Sequence, residues 1–388
     1  MRSKGIEDPE IIHMKNKTIS LLLLSTLILS LSTAAFAGAE TADAVIVVQM
    51  KGALDADDNL KAAMNDITNV EWRVVLGELA AADLTGADML IMIQVDPATE
   101  FTDAELNLVK DWFNGGAKLL WVPSDSDFGD GQSLRIGPAN AALAAVGSKL
   151  RGENAEIEDP VSNAGATYRC YGMSENCDPA VSFLVDDVKT AQFHGCGIII
   201  GYVGGTYYAL DQTSLENVYV IMASSDQGIV VDVTAPPPEA HEAGQEGHLC
   251  EMALEAMPNN NLVIATADSP FDHYSAMYKP EIQNAARYGP ASPYPQQGAK
   301  LFSNIVNYMI RNKLNAQVSG LEDDVASLTA SQTSLQGQVT TLTSEKNQLQ
   351  TDLTAAQGSA STMQIVAVVA LVVGVVAGYF VGPMIKKK

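Results

Sequence analysis

Basic residues are scarce in this chain, with 23 lysines and arginines against 46 aspartates and glutamates. Without residues 1–37, which hold four basic and three acidic groups, and without the last three lysines, 16 basic and 43 acidic residues remain, a net charge of −27. A surface of that sign repels phosphate backbones and anionic lipid, which sets nucleic acid aside as a partner. It suits cations, a basic partner or a saline exterior, and equally the solvated surface of an exported protein. Cysteine is scarce too: only Cys170, Cys177, Cys196 and Cys250 occur. They form no C-x2-C pair with histidines nearby, so a zinc site of the finger or ribbon kind is excluded. The only N-x-S/T sequon, Asn16-Lys17-Thr18, falls in the first apolar segment, which argues against a heavily glycosylated coat. Long apolar runs are missing everywhere except at the two ends.

Those two runs set the place of the protein. Lys15 and Lys17 precede Leu21-Leu22-Leu23-Leu24, and the stretch ends in Ala35-Phe36-Ala37, a small-x-small cleavage site. Residues 1–37 are therefore expected to be a signal peptide, with Met14-Lys15-Asn16-Lys17 as a normal start. The second run, Ile365–Ile385, is 21 residues without a charge and is followed by Lys386-Lys387-Lys388. At 1.5 Å per residue such a helix reaches about 30 Å, the thickness of a bilayer's hydrocarbon core. A lysine cluster prefers the cytoplasmic side. The expectation is a single-pass membrane protein with residues 38–363 outside and residues 386–388 as a cytoplasmic tail. Four cysteines in an oxidising compartment suggest two disulfides among three possible connectivities, with Cys170–Cys177 and Cys196–Cys250 the favoured pair.

Residues 44–122 alternate apolar runs with helical stretches. Ala44–Met50, Glu71–Leu76, Met89–Val95 and Lys118–Val122 are dense in apolar residues and bounded by polar turns, the pattern of buried parallel strands. Between them, Asp57–Ile67 and Asp103–Asn114 read as helices. The second begins with Thr102-Asp103-Ala104-Glu105, a capping box, and stops at Gly115-Gly116. This order predicts a doubly wound α/β sheet. Pro138–Val146 reads as a further helix with proline in its first turn. Gly195–Tyr202, Gly205–Leu210, Val218–Ala223 and Gly228–Val233 read as an antiparallel insertion or sheet extension. His248–Met257 and Asn261–Ala267 return to the main sheet, and Ala299–Leu314 closes the domain. Pro236-Pro237-Pro238, with Glu239, His241, Glu242, Glu246 and His248, is expected to be a flexible, exposed connection able to gather metal ions.

From Asn315 the composition shifts to Ser, Thr, Gln, Leu and Val. Val318, Leu321, Val325, Leu328, Leu335, Val339, Leu342, Leu349 and Leu353 fall on alternating steps of three and four, with Gln332 and Lys346 filling the remaining seam positions. Residues 316–357 are thus expected to form a coiled-coil stalk, roughly 60 Å long, that makes the protein a homo-oligomer. Polar residues at two seam positions cost stability and help to fix register. Gly374, Gly378 and Gly382 repeat the small-residue spacing that lets membrane helices approach closely.

Leu106–Gly116 followed by Lys118–Phe128, Asn140–Arg151, Asp159-Pro160 with Asn163-Ala164-Gly165, and Leu262–Tyr274 together resemble class I glutamine amidotransferase-like domains. Such domains occur in gliding-motility transporter components, intraflagellar-transport subunits and archaeal membrane proteins. The resemblance covers about residues 42–314 and implies a flavodoxin-like sheet and an archaeal source. It does not imply amidotransferase activity. Active members carry a cysteine on the turn after the strand that follows such a Gly-Gly, where the exposed thiolate attacks the amide. Here that turn reads Pro123-Ser124-Asp125-Ser126-Asp127, without cysteine. Ser124 could substitute, with His194, His241, His248 or His273 as base, but no G-x-S-x-G elbow surrounds it.

The same turn offers a ligand site at the sheet's C-terminal edge, with Ser124, Asp125 and Asp127 as binding residues. Asp125, Asp127 and Asp130 also crowd three hard oxygen donors suited to calcium, though not at EF-hand spacing. The functional expectation is a non-enzymatic surface protein: an acidic head on an oligomeric stalk with a membrane foot. An accessory or ligand-binding subunit of an ABC-type transporter is the alternative, and a degenerate hydrolase a further one. A surface-layer protein or a transporter subunit is the corresponding partner; archaeal surface-layer anchors share this order of head, coiled coil and membrane helix.

Overall fold

The computed structural model describes residues 42–96, 98–129, 135–271, 277–278 and 296–385, with 377–385 as backbone alone. The expected leader (1–37), Asp130, His273 and Lys386–Lys388 lie outside these residues. The chain divides into two units, one ending at Ala316 and the other beginning at Gln317.

The four apolar runs of the first part form β1 (Ala44–Lys51), β2 (Val70–Val75), β3 (Met89–Gln94) and β4 (Leu119–Pro123). The helices are α1 (Asp58–Asp66), α2 (Asp103–Phe113), α3 (Gly137–Ala145) and α4 (Gly298–Ile385). The chain after α3 supplies β5 (Leu150–Glu153), β6 (Glu156–Glu158), β7 (Tyr171–Met173), β8 (Thr190–Gln192), β9 (Ile198–Val203) and β10 (Thr206–Tyr208). It continues through β11 (Val218–Ala223), β12 (Gly228–Val231), β13 (Glu246–Gly247), β14 (Cys250–Met257) and β15 (Asn261–Thr266).

Nine strands make one mixed sheet in the order β2-β1-β3-β4-β15-β14-β11-β7-β8. The first five are parallel, and the sheet turns antiparallel at β14. The expected insertion is split. β11 extends the main sheet, while β9 joins β10 and β5, and β12 joins β13 and β6, in two small sheets. The short strands β7 and β8 carry too few residues to show an alternating pattern, so their place at the sheet edge was not legible in the sequence.

Both faces of β1, β3, β4 and β15 are covered, which is why they read as near-continuous apolar runs, whereas the edge strand β2 is buried only at Val70. Ile46 and Val48 pack with Leu60 of α1 and with Leu301, Phe302 and Ile305 of α4. Val47 and Leu90 face the other way, toward Val109 and Phe113 of α2 and Leu143 of α3. Phe302 is the centre of the first layer: its ring lies 5.4 Å from Trp121, 5.3 Å from Phe271, 5.5 Å from Tyr278 and 6.3 Å from Trp72. Burial of a phenylalanine this complete contributes about 3 kcal/mol.

The capping box of α2 is present, and it reaches further than a local cap. Thr102 Oγ1 accepts from Glu105 N at 3.3 Å, and Glu105 Oε2 accepts from Thr102 N at 2.8 Å. The same carboxylate pairs with Lys51 at the end of β1 and accepts from Gln49 Nε2 at 2.7 Å and Leu79 N at 2.9 Å. Burial disfavours its charge, but Lys51, the amides of Thr102 and Leu79 and the Gln49 side chain outweigh burial and hold it down to about 2. One glutamate thereby ties β1, α2 and the loop before β3 together.

In the second unit, Gln317–Val376 is helical and every side chain along it is exposed. The seam residues are uncovered in the single chain, from Leu353 at 52% exposure to Leu328 at 70%. The C-terminal part of this helix is long and apolar enough to cross a membrane.

The Pro236–His248 segment differs from the expected flexible connection. Asn154 N donates to Glu239 Oε2 at 2.9 Å, and Asn154 Nδ2 donates to Thr234 O at 2.9 Å. His241 is buried and bridges two acids, with Nδ1 2.5 Å from Glu153 Oε2 and Nε2 2.9 Å from Asp211 Oδ1. The acids that hold it lie about 90 and 30 residues upstream, beyond the reach of a local reading. Burial opposes its charge, yet the bonds to Asp211 and Glu153 prevail and raise it from 6.5 to about 9. A raised folded-state pKa contributes stability that is complete below the unfolded value and is lost as pH climbs through the folded one. Urea unfolding should therefore lose on the order of 2–3 kcal/mol between pH 6.5 and pH 9. His241→Gln should be less stable at pH 6.5 and show a flat profile across that window; a wild-type profile that is flat there would contradict the bridge.

Candidate functional site

The C-terminal ends of β1, β3, β4 and β15 open on one side of the sheet, at the point where successive strands leave β1 in opposite directions. That is where an open α/β sheet leaves a crevice. A cleft of about 1090 Å³ occupies it. The loop after β1 contributes Gly52–Asp55 and Asp57, the loop after β3 Val95 and Phe101, and the turn after β4 Pro123–Ser126. Asp268, Ser269 and Phe271 follow β15, and the insertion closes the far wall with Glu156, Glu158, Tyr168, His194 and Gly195.

The expected site residues are divided by this arrangement. Ser124 and Asp125 line the cleft, whereas Asp127 does not. Asp127 is fully buried, and its Oδ2 accepts from Val233 N at 2.8 Å and Thr234 N at 2.7 Å. Burial pushes its carboxyl up against the lowering effect of those amides. Asp125 Oδ2 is paired with Arg135 Nη1 at 2.8 Å, and Asp125 Oδ1 accepts from Ser126 N at 2.8 Å. The two aspartates thus serve different neighbours, and Asp130, the third expected donor, lies outside the described residues.

Ser124 is held by its backbone, whose N–H donates to Thr266 O at 2.7 Å. Its hydroxyl is buried, has no hydrogen-bond partner among the described residues and lies over Gly152. A nucleophile needs a base in reach, and among the described residues none is hydrogen-bonded to this hydroxyl. The wall above the turn comes very close: a side-chain carbon on Gly197 would stand 2.3 Å from the Asp125 carbonyl oxygen, so only glycine fits. Ser126 N donates to Gly195 O at 3.1 Å, which fastens that wall to the turn.

The cleft's charge is mainly acidic. Asp55, Asp57, Asp125, Glu156, Glu158 and Asp268 line it, against Arg135 and His194. Asp268 accepts from His194 N at 2.9 Å, and Glu158 accepts from Thr167 Oγ1 at 2.8 Å. Glu156 is the perturbed acid: burial first, then the charges of Glu158, Asp127 and Asp125, raise it from 4.5 to about 7. The aromatic rings of Phe101, Phe128, Tyr168 and Phe271 supply the apolar part, with Phe128 69% exposed. Glu156, Arg135 and Asp268 were missed by sequence reasoning, since none belongs to a motif; the short strand Glu156-Ile157-Glu158 was the one available signal.

Both expected disulfides are corrected by the structure. All four cysteines are free, and Cys170 is brought beside Cys196 instead of Cys177. The reason is topological: Cys170 precedes β7 and Cys196 precedes β9, and Phe193 N donating to Cys170 O at 2.9 Å holds the two segments together.

The raised Glu156 gives a pH test. Its contribution is complete below about pH 4.5 and is lost as pH rises through 7. Glu156→Gln should abolish this loss and leave the protein on the order of 2 kcal/mol more stable than wild type at pH 8. Equal slopes for both proteins in chemical denaturation between pH 5 and pH 8 would contradict the assignment.

No family model matches this sequence, and no curated protein matches it. Among solved structures, the chain is similar to the mmIFT52 N-terminal domain, with 9% identity and a TM-score of 0.44 over 68% of this chain and 96% of that one. It is also similar to a protein from Thermoplasma acidophilum assigned as a GMP synthase component, with 8% identity and a TM-score of 0.35 over 71% of this chain and 98% of that one. Likeness of this degree leaves the mixed α/β sheet to rest on its own strand pairings.

Proposed function

We propose that this protein is a non-enzymatic binding and scaffold protein of the cell surface, an acidic head carried by an oligomeric coiled-coil stalk and anchored by its C-terminal helix. The observation that carries the reading is the seam of nine apolar residues from Val318 to Leu353, all more than half exposed in the single chain. A helix that leaves such a stripe uncovered is stabilised by burying it against copies of itself. Oligomer formation follows, and with it several heads presented together, so that weak contacts at each head add through their linkage. Export, the outward orientation and a cytoplasmic tail belong to the same reading, on the strength of residues 1–37 and Lys386–Lys388.

The cleft supports a binding role for the head. Carboxylates with aromatic rings beside them suit a cationic ligand or a basic side chain of a partner. Its volume also favours the second reading, an accessory or ligand-binding subunit of a transporter. The buried Ser124 hydroxyl, without a hydrogen-bond partner among the described residues, weighs against a hydrolase.

Sedimentation of the full chain in detergent tests the stalk. The wild type should be a defined oligomer at micromolar concentration, and replacing Leu335 and Leu342 by aspartate should give monomers with an intact head. A monomeric wild type would sink the oligomeric reading. Crosslinking in native membranes separates the two roles: capture of an abundant coat protein supports the scaffold, and capture of a permease or ATPase supports the transporter role.

A further inference from the structure

Glu251 stands out among the buried acids of the head. It lies in β14 with no exposure to solvent, and neither carboxylate oxygen has an N–H or O–H donor among the described residues. A carboxyl group taken out of water is tolerated when it is paired, hydrogen-bonded or bound to a metal. The buried Asp159 nearby shows the ordinary solution: it accepts from the amides of Val161, Ser162 and Ser225 and from the Ser225 hydroxyl. Glu251 has no such shell.

What it has instead is two thiols. Cys170 and Cys196 are both fully buried, and their sulfurs and a Glu251 oxygen all lie within 4.8 Å of one another. The three residues come from separate segments, each fixed by its backbone. Phe193 N donates to Cys170 O at 2.9 Å, Ile157 N to Cys196 O at 2.7 Å and Ala267 N to Glu251 O at 2.8 Å.

We infer that Cys170, Cys196 and Glu251 hold a thiophilic divalent cation of the zinc type inside the head. Two thiolates and a carboxylate are a donor set that zinc accepts, with one further nitrogen or oxygen donor completing four-coordination. Binding requires both thiols and the carboxyl in their deprotonated forms and leaves the cluster with a single net negative charge. A Cys170–Cys196 disulfide would join the sulfurs but leave the Glu251 carboxylate with no partner, whereas a cation satisfies all three groups at once. The site is separate from the cleft yet braces it. Tyr168 and His194 line the cleft, each two residues ahead of a ligand cysteine, and Gly195 N donates to Tyr168 O at 3.0 Å. A cation between the two segments fixes that wall.

The test uses the full chain in detergent, reduced, stripped with a chelator and titrated with Co²⁺. Expected are a thiolate-to-cobalt charge-transfer band with tetrahedral visible absorption, saturation at one ion per chain, and displacement by Zn²⁺. Cys170→Ser and Cys196→Ser should remove the band, and Cys177→Ser should leave it unchanged. Glu251→Gln should weaken binding at least about tenfold, no less than the loss of an outer partner in known sites. The wild-type titration decides the matter even if a variant fails to fold: no thiolate band in the reduced chain overturns the inference. A Cys170–Cys196 disulfide, found by mass spectrometry of chain alkylated in its own membranes without reductant, overturns it equally.

Discussion

Strand β15 is the member on which the sheet depends, because it must satisfy a parallel neighbour on one side and an antiparallel one on the other. Its two ends are pinned accordingly. Asn261 donates to Phe113 O at 2.8 Å and accepts from Lys118 N at 3.0 Å, while Thr266 Oγ1 accepts from Trp121 Nε1 at 3.0 Å. These contacts join residues more than 140 positions apart. A polar side chain at each end of an apolar strand sets its register, since a slip of one residue would turn every side chain to the wrong face. The long insertion between β4 and β14 is tolerated because the entropy of closing a loop grows only slowly with its length.

The cleft follows from that pairing. With β15 beside β4, the ends of both strands and the turn at Ser124–Ser126 lie at one edge, and the insertion folds back to form the opposite wall. Two buried acid nodes keep the wall and floor in place. Glu105 ties β1 to α2 on one side, and Glu153 captures His241 and its loop on the other. In each, a carboxylate removed from water recovers several charged or amide donors, the condition under which burying an acid is stabilising instead of costly. Glu251 departs from this rule, and its two thiol neighbours point to a cation as the missing partner.

Functionally, the molecule joins a head whose chemistry is acidic to a helix that is unfinished as a single chain. The seam is uncovered in the single chain, and the apolar segment that follows it is long enough to cross a membrane. The head's cleft is lined by acids and aromatic rings, and the Ser124 hydroxyl at its edge is buried beside Gly152.

Much of the scaffold was legible from residue order. The four parallel strands, the α2 capping box, the Gly115-Gly116 stop and the apolar C-terminal helix are local patterns, each set by neighbours within a few residues, and each is present, although the edge strand β2 is buried only at Val70. The cleft was legible only in part: Ser124 and Asp125 were placed at it because a strand end is a local feature, while Asp127 turned inward to amides about 106 residues away. The pairing of Cys170 with Cys196, the capture of His241 and the isolation of Glu251 were decided by tertiary structure alone. They depend on which distant strands become neighbours, and a burial or charge partner supplied across about 25 to 90 residues leaves no periodic trace in the chain.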